Sequence, residues 1–458
     1  TALAPDGDTV YVGGVAPTGS TDSLVYATTD ASGNVSSGGD ESGYNIKWDG
    51  STLTLKDAYI TNEASDGNHT HPVEGAAIGV ANSSGDAELT IQLEGGNTIE
   101  DVSPGIWVYS SATGDASLTI MGDGSLEASG NLNPGITVQS NGGNATLSIE
   151  NAEVTTTSSS SYGVLVQAKD SSNASLTVNG GSLTVTGSGT YFAGIQLQFG
   201  SSNYGSGTPS LNVSNSAIVK ASGGEGGISD NSSTDIRIGV GDNSSGGIVF
   251  DNGTGTVYGS VTLQEDLTIG EDESLTIPDG ASLTIDDGAT LTNEGTVTNS
   301  GTLTNNGTIN NSGTLPDNIE GTVPPSITTT SLVEGTENTT YTATLTADGE
   351  PTSWAWSAAA SSNTPPGLAL NNDGTITGAP AAAGTYSFTV TASNSGGSDS
   401  KSLSITISPA ALSITTQPSS QSVTEGKTAS FSVEATGSGT LTYQWQQSTD
   451  GSTWTNID

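Results

Sequence analysis

Trp107 and Tyr109 alternate with Ile106 and Val108 in a short strand-like segment. Strand geometry sends successive side chains to opposite faces, so with Ile106 and Val108 turned inward, Trp107 and Tyr109 point outward. The segment recurs along the chain. The equivalent outward positions hold Thr137 and Gln139, then Leu165 and Gln167, then Gln196 and Gln198, with Lys169 extending the same edge. Aromatic faces stack on the apolar faces of other rings, including sugars, and amides both donate to and accept from hydroxyls. This flank is the expected ligand-binding face, with Trp107, Tyr109, Gln139, Gln167, Lys169, Gln196 and Gln198 as its candidate residues. A column of stacked amides also has a purely scaffolding use, because such side chains bond one another along a repeat array.

Metal and acid–base chemistry has thinner support. His69 and His71 flank Thr70 and would share one face of a strand, but no third ligand accompanies them, so a solvated loop is expected. The acidic runs Glu265-Asp266, Glu271-Asp272-Glu273 and Asp286-Asp287 suit calcium in charge, yet their spacing matches no EF-hand loop. A solvated acidic surface is the default reading, and no cofactor is expected, calcium being the one ion left open. Lys169, Lys220 and Arg237 are the bases available for polysaccharide cleavage. No recurring set of Asp accompanies them, so catalysis is not expected.

The elements that position these residues are repeats. Ala77-Ile78-Gly79-Val80, Gly105-Ile106-Trp107-Val108, Gly135-Ile136-Thr137-Val138, Gly163-Val164-Leu165-Val166 and Gly194-Ile195-Gln196-Leu197 match, with Ile78, Ile106, Ile136, Val164 and Ile195 spaced by 28, 30, 28 and 31 residues. A looser copy starts at Gly227-Ile228. Each repeat holds a second strand-like piece (Leu89, Leu118, Leu147, Leu176, Leu211) and a third that includes Leu126, Val154, Leu183 and Ile218, separated by Gly, Asn, Asp and Ser. Three short strands with one apolar face each close around a narrow core, and stacked repeats pair in parallel about 4.8 Å apart. The expected fold is all-β: a right-handed parallel β-helix, its hand following the usual sense of parallel crossovers. A β-propeller would want four longer strands per unit. From Val261 the period shortens: Leu267, Leu275, Leu283 and Leu291 are eight apart, and Val297, Leu303, Ile309 and Leu315 six apart. Evenly spaced aliphatics argue for a tighter solenoid rather than a linker.

Charge and composition narrow the partners. The 458 residues carry 48 Asp and Glu against 7 Lys and Arg, a formal net charge of −41. Nucleic acid and anionic membranes would be repelled, and an acidic polysaccharide would need a bridging divalent cation. The absence of Cys excludes disulfides and thiolate chemistry. No apolar run reaches membrane-spanning length, and the start, Thr1-Ala2-Leu3-Ala4-Pro5, suits a chain whose secretory leader has been removed. Disorder, the competing reading for so polar a chain, fails because the apolar residues recur in short alternating runs.

After Pro324-Pro325 the pattern changes. Trp354 and Trp356 precede Pro366-Gly367-Leu368-Ala369-Leu370, Gly374-Thr375-Ile376-Thr377-Gly378-Ala379-Pro380, and Ala383-Gly384-Thr385-Tyr386-Ser387-Phe388-Thr389-Val390-Thr391-Ala392 with Asn394. This stretch resembles the bacterial putative-Ig, cadherin-like family, which implies a β-sandwich with Tyr386, Phe388 and Val390 alternating into its core and a role as spacer or adhesive stalk. Gln417-Pro418, Gly426, Phe431-Ser432-Val433 and Tyr443-Gln444-Trp445 resemble a second bacterial Ig-like type, which implies a Trp in mid-sandwich; its later strands are absent, so the sequence reads as ending inside that module. Residues 45–260, best at Leu53-Thr54-Leu55-Lys56-Asp57-Ala58 and Leu93-Glu94-Gly95-Gly96-Asn97-Thr98-Ile99, resemble the carbohydrate-binding β-helical domains of gut Firmicutes surface proteins. The expected organisation is a cap and first coil over 1–60, a β-helix over 61–260, a short-period extension over 261–322, an Ig-like sandwich over 323–408 and a partial Ig-like module over 409–458. Together these imply an extracellular, cell-surface adhesin or glycan-binding module without catalysis, its partner a polysaccharide or a host or cell-surface glycoprotein. A structural spacer is the first alternative and a degenerate or active polysaccharide lyase or hydrolase the second.

Overall fold

The structure, a computed structural model, describes the chain apart from residues 1–8, 14–24, 38–39, 62–72, 74, 101, 103, 170–171, 200–208, 225, 231–236, 241–245, 359–363 and 458, and apart from the side chains of residues 9, 25, 37, 198–199, 230, 237 and 239–240. Among the described residues every regular element is a β-strand. The chain forms two compact units, residues 1–306 with 313–321, and residues 307–312 with 322–458.

In the first unit the chain visits three parallel sheets in rotation. The first strands are Ile78–Asn82, Ile106–Ser110, Ile136–Ser140, Val164–Ala168, Ile195–Phe199 and Ile228–Asp230, with Ile78, Ile106, Ile136, Val164, Ile195 and Ile228 in one row. The second strands run from Thr52–Lys56 through Ala87–Glu94, Ala116–Gly122, Ala145–Glu150, Ala174–Asn179 and Ser210–Ser214 to Arg237–Val240, and align Leu89, Leu118, Leu147, Leu176 and Leu211. The third strands run from Tyr59–Ile60 to Gly247–Asp251. The spacing of the sequence repeat is therefore the pairing register of the sheets. Apart from the partly buried Ile228 the inward rows are buried, and each buried Leu or Ile contributes about 1.5–3 kcal/mol.

The third row departs from expectation by one residue. Leu183 pairs with Val219, not Ile218; Val219 is buried in the core and Ile218 takes the opposite face. Both side chains are apolar, so alternation alone does not choose between them. What decides is the next strand. Gly247-Ile248-Val249-Phe250 is buried on both faces, and its hairpin partner Thr254–Tyr258 reverses the chain direction. Val249 continues the row of Val219 and joins the core of the long repeats. Ile248 continues the row of Ile218 and pairs with Val257. One sheet thus has apolar side chains buried on both of its faces, the situation in which a strand reads as a continuous apolar run.

Beyond the hairpin the same sheet continues with Ser274–Ile277 and Thr296–Asn299. Two further sheets hold Ser260–Leu263, Ser282–Ile285, Thr302–Asn305 and Ile319–Gly321, and Leu267–Ile269 with Thr290–Asn293. Each circuit again has three strands. Paired positions lie 24 residues apart at Leu267 and Leu291, 22 at Leu275 and Val297, and 20 at Leu283 and Leu303. At the other end the pairing is antiparallel: Thr9–Val12 lies against Ile78–Asn82, and Val25–Thr29, Val35–Ser37 and Ile46–Trp48 precede Thr52–Lys56. Such strands occupy the edge that a parallel stack would leave open.

The two motifs quoted for the carbohydrate-binding resemblance lock to each other. Asp57 Oδ1 accepts from Gly96 N at 3.1 Å, and Asn97, 2% exposed, accepts from Ala58 N and donates to the carbonyls of Glu94, Gly95 and Ser125. Gly95 sits at φ +66, where a Cβ would lie 2.1 Å from Asp57 Oδ1, so glycine is favoured there.

In the second unit Ser353–Ala358, Gly384–Asn394 and Gly397–Ser408 form an antiparallel sheet, and Tyr341–Thr344, Leu368–Leu370 and Thr375–Gly378 form another. Phe388 and Val390 are buried with Trp354, Ile376 and Ile405, while Tyr386 is half-buried and donates to the Ala382 carbonyl. The Pro-Gly-Leu and Gly-Ala-Pro motifs meet through Ala379 N on Gly367 O and Ala381 N on Pro366 O. Residues 409–457 differ from expectation. They make only two two-stranded pairs, Ser413–Thr416 with Glu434–Thr436 and Gln446–Gln447 with Thr455–Asn456. With no facing sheet, Trp445 is 40% exposed rather than central to a sandwich.

Candidate functional site

The first-strand sheet sets the positions of the predicted site residues. Its register places Gly79, Trp107, Thr137, Leu165, Gln196 and Ser229 in one outward row, and Ala81, Tyr109, Gln139, Gln167 and Gln198 in the next. Trp107 and Tyr109 are half-buried, their ring centroids 6.0 Å apart and their planes at 47°. Asn141 Nδ2 donates to the Tyr109 hydroxyl at 2.6 Å, and Asn141 N bonds the Ser110 carbonyl. Trp107 Nε1 is buried without an acceptor, and Asn141 Oδ1 is buried without a donor. Sequence reasoning missed Asn141, because Asn-Gly after a strand signals only a turn.

The face is less open than alternation implies. Thr137 and Gln196 stand in the outward row but are 4% and 1% exposed, so Gln196 is no part of an accessible groove. Alternation fixes the side of a sheet that a residue takes and carries no information about what lies over that side. At Gly79 the covering group is identifiable: a Cβ there would lie 2.6 Å from Val73 Cγ2, so Val73 packs onto the sheet. Gln139, Gln167 and Lys169 are half-buried along the same edge. The side chain of Gln198, and His69 and His71 entirely, lie outside the described residues.

At the corner after the first strand, polar side chains are committed to neighbouring repeats. Asp115 N donates to Asp86 Oδ1 at 2.8 Å, Asn144 N to Asp115 Oδ1 at 2.7 Å, and Asn173 N to Asn144 Oδ1 at 3.0 Å. Inside that corner the buried hydroxyls of Ser110 and Ser140 donate to the Gly85 and Gly114 carbonyls. These bonds satisfy backbone groups that strand pairing leaves over at the turns.

Lys220, Glu273 and Asp266 are likewise engaged. Lys220 donates to both Glu273 oxygens at 3.1 and 2.9 Å and to the Thr268 carbonyl at 3.0 Å, with its ammonium 4.6 Å from the Phe250 ring centroid. Glu273 also accepts from Gly270 N, and Asp266 from Thr290 N. The Arg237 side chain lies outside the described residues. Among the described residues no group of three or more His, Asp or Glu is placed to hold a metal ion. Nor, among them, is any helix long and apolar enough to cross a membrane.

Comparison with known proteins bears on the second unit. Residues 324–408 match the family model described as Putative Ig domain (He_PIG), and this segment is an Ig-like module. No curated protein matches the chain. Among solved structures, it is similar to a putative alpha-galactosidase of Bacteroides fragilis (27% identity, 18% of this chain and 17% of that one, TM-score 0.17). It is also similar to extracellular domains 3–5 of Drosophila OTK (15% identity, 27% and 43%, TM-score 0.18) and to immunoglobulin domains 1–5 of Sidekick-1 (21% identity, 26% and 26%, TM-score 0.19). The chain spans less than half of each of these structures, and at such TM-scores the likenesses carry no weight for activity.

Proposed function

We propose that this chain is an extracellular, non-catalytic glycan-binding protein of a bacterial cell surface, in which the first unit coils as a right-handed parallel β-helix and the Ig-like modules serve as a stalk. The observation that carries the reading is the Trp107–Tyr109 pair on the outer side of the first-strand sheet, its hydroxyl oriented by Asn141. A packed sheet holds the two rings at a fixed separation, which limits the conformational entropy lost when a ligand stacks on them. Gln139, Gln167 and Lys169 extend the same edge with donors and acceptors suited to sugar hydroxyls. The acidic surface favours a ligand without negative charge.

Lys220 meets one carboxylate, Glu273, and that pair ties two parts of the first unit together, which supports the non-catalytic reading. A spacer role is the second reading, favoured by the Asp86–Asn173 ladder, whose polar groups serve neighbouring repeats. A glycan array probed with the full chain, with and without calcium, separates the two. Binding to a defined glycan class supports the first, and silence under both conditions leaves the spacer. Release of new reducing ends or unsaturated products from a bound polysaccharide would overturn the absence of catalysis.

A further inference from the structure

The corner before the first strand is a run of uncharged loops. Three successive loops, residues 131–135, 159–163 and 187–194, connect a third strand to the next first strand. None contains Asp, Glu, Lys or Arg, in a chain whose net charge is −41. Each instead carries apolar or aromatic side chains: Leu132 in one, Tyr162 in the next, Tyr191 and Phe192 in the third. Tyr162 and Phe192 meet edge to face, centroids 5.1 Å apart at 89°. Tyr191 is 78% exposed and Leu132 71% exposed. The loops are stacked and braced: Ser159 N donates to Gly130 O, Ser188 N to Ser161 O, the Ser158 hydroxyl to Asn133 O, and the Ser159 hydroxyl to Asn131 O at 2.7 Å.

We propose that this loop stack is a binding surface for a neutral polysaccharide lying along the stacking direction, an inference that rests on the glycan-binding reading above but places a site away from Trp107. Rings presented one loop apart advance by about 4.8 Å per repeat, an interval comparable to one sugar of an extended chain. The exposed Tyr191 ring offers a stacking platform, and Leu132 a second apolar contact two repeats away. The hydroxyls and amides between them suit sugar hydroxyls. An uncharged stripe on a chain of net charge −41 favours a ligand without carboxylate or sulfate, because the overall negative charge repels an anionic chain.

Affinity electrophoresis of the full chain in gels containing hydroxyethyl cellulose, galactomannan or xyloglucan, with polygalacturonate as the anionic comparison, tests this. Both substituted side chains are exposed, so Tyr191→Ala/Leu132→Ser should fold as the parent does. The expected result is retardation by at least one neutral polysaccharide, weakened about tenfold (about 1.4 kcal/mol) in that double variant. Tyr191→Trp should retain it, and Ser148→Ala, on the outer face of the second-strand sheet, should leave it in place. Retardation lost in Trp107→Ala/Tyr109→Ala but unchanged in Tyr191→Ala/Leu132→Ser would overturn the inference and leave the proposed function standing. Retardation by polygalacturonate alone, or by none of the four while a glycan array is positive, would overturn it too.

Discussion

At the scale of single residues, Trp107 is the position where chemistry and stability conflict. Its indole N–H is buried without an acceptor, and such a donor costs about 1–3 kcal/mol. Trp107→Phe removes the donor and keeps most of the apolar area, so we expect a melting temperature close to the parent's in thermal denaturation. A fall as large as that of a core truncation would contradict the assignment of that N–H as unsatisfied. Exposed turns give a second residue-scale prediction. The Asp450 carboxyl is lowered to about 2 because it accepts from Thr453 N, Ser452 N and the Ser448 hydroxyl. A folded value below the ordinary one means that the turn's contribution is complete above the usual carboxylate range and is lost as pH falls through about 2. A carboxyl-detected NMR titration should find that midpoint, and one near 3.8 would show that the turn is not formed. At this scale the sequence was informative in one direction only. Alternation placed Trp107 and Tyr109 on the outer side correctly, yet it carried no sign of the burial of Gln196 or of Asn141 beneath Tyr109.

At the scale of elements, the first-strand and second-strand rows were legible because a repeat with turn residues at fixed intervals leaves one register that buries every inward aliphatic. Leu147, fully buried in the second row, tests this: Leu147→Ala should cost about 2–5 kcal/mol in denaturant unfolding, whereas Ser148→Ala on the opposite face should cost little. Equal effects would mean that the register is displaced by one residue. The hairpin Gly247–Asp251 with Thr254–Tyr258 was not legible. A continuous apolar run fits a buried strand, but only the structure shows that both of its faces are covered and that the chain then reverses. Lys220 reaches from that sheet to Glu273 and Thr268, so Lys220→Met should destabilise the first unit by about 1 kcal/mol, the pair being partly exposed. High salt should shrink that difference, and an effect indifferent to salt would assign it to the stem over Phe250 instead.

At the scale of the whole molecule, the absence of Cys already excluded thiolate chemistry and the repeats pointed to an all-β chain, and every regular element among the described residues is a strand. The Ig-like module was legible because Pro-Gly-Leu and Gly-Thr-Ile-Thr-Gly-Ala-Pro fix turns whose bonds are seen in the structure. Residues 409–457 were legible as strand-like segments but not as a packed sandwich, because packing needs a facing sheet that sequence pattern cannot supply. Self-repulsion from a net charge of −41 predicts that raising ionic strength from about 0.05 M to about 0.5 M increases the melting temperature. A decrease would mean that attractive pairs outweigh the excess of acid. The central claim, a glycan-binding flank centred on Trp107 and Tyr109, is tested most directly by calorimetric titration of an array-positive glycan into the full chain and into Trp107→Ala/Tyr109→Ala. The expected result is measurable binding that weakens at least about tenfold in the double variant while its melting temperature holds. Unchanged affinity in the folded double variant would contradict it.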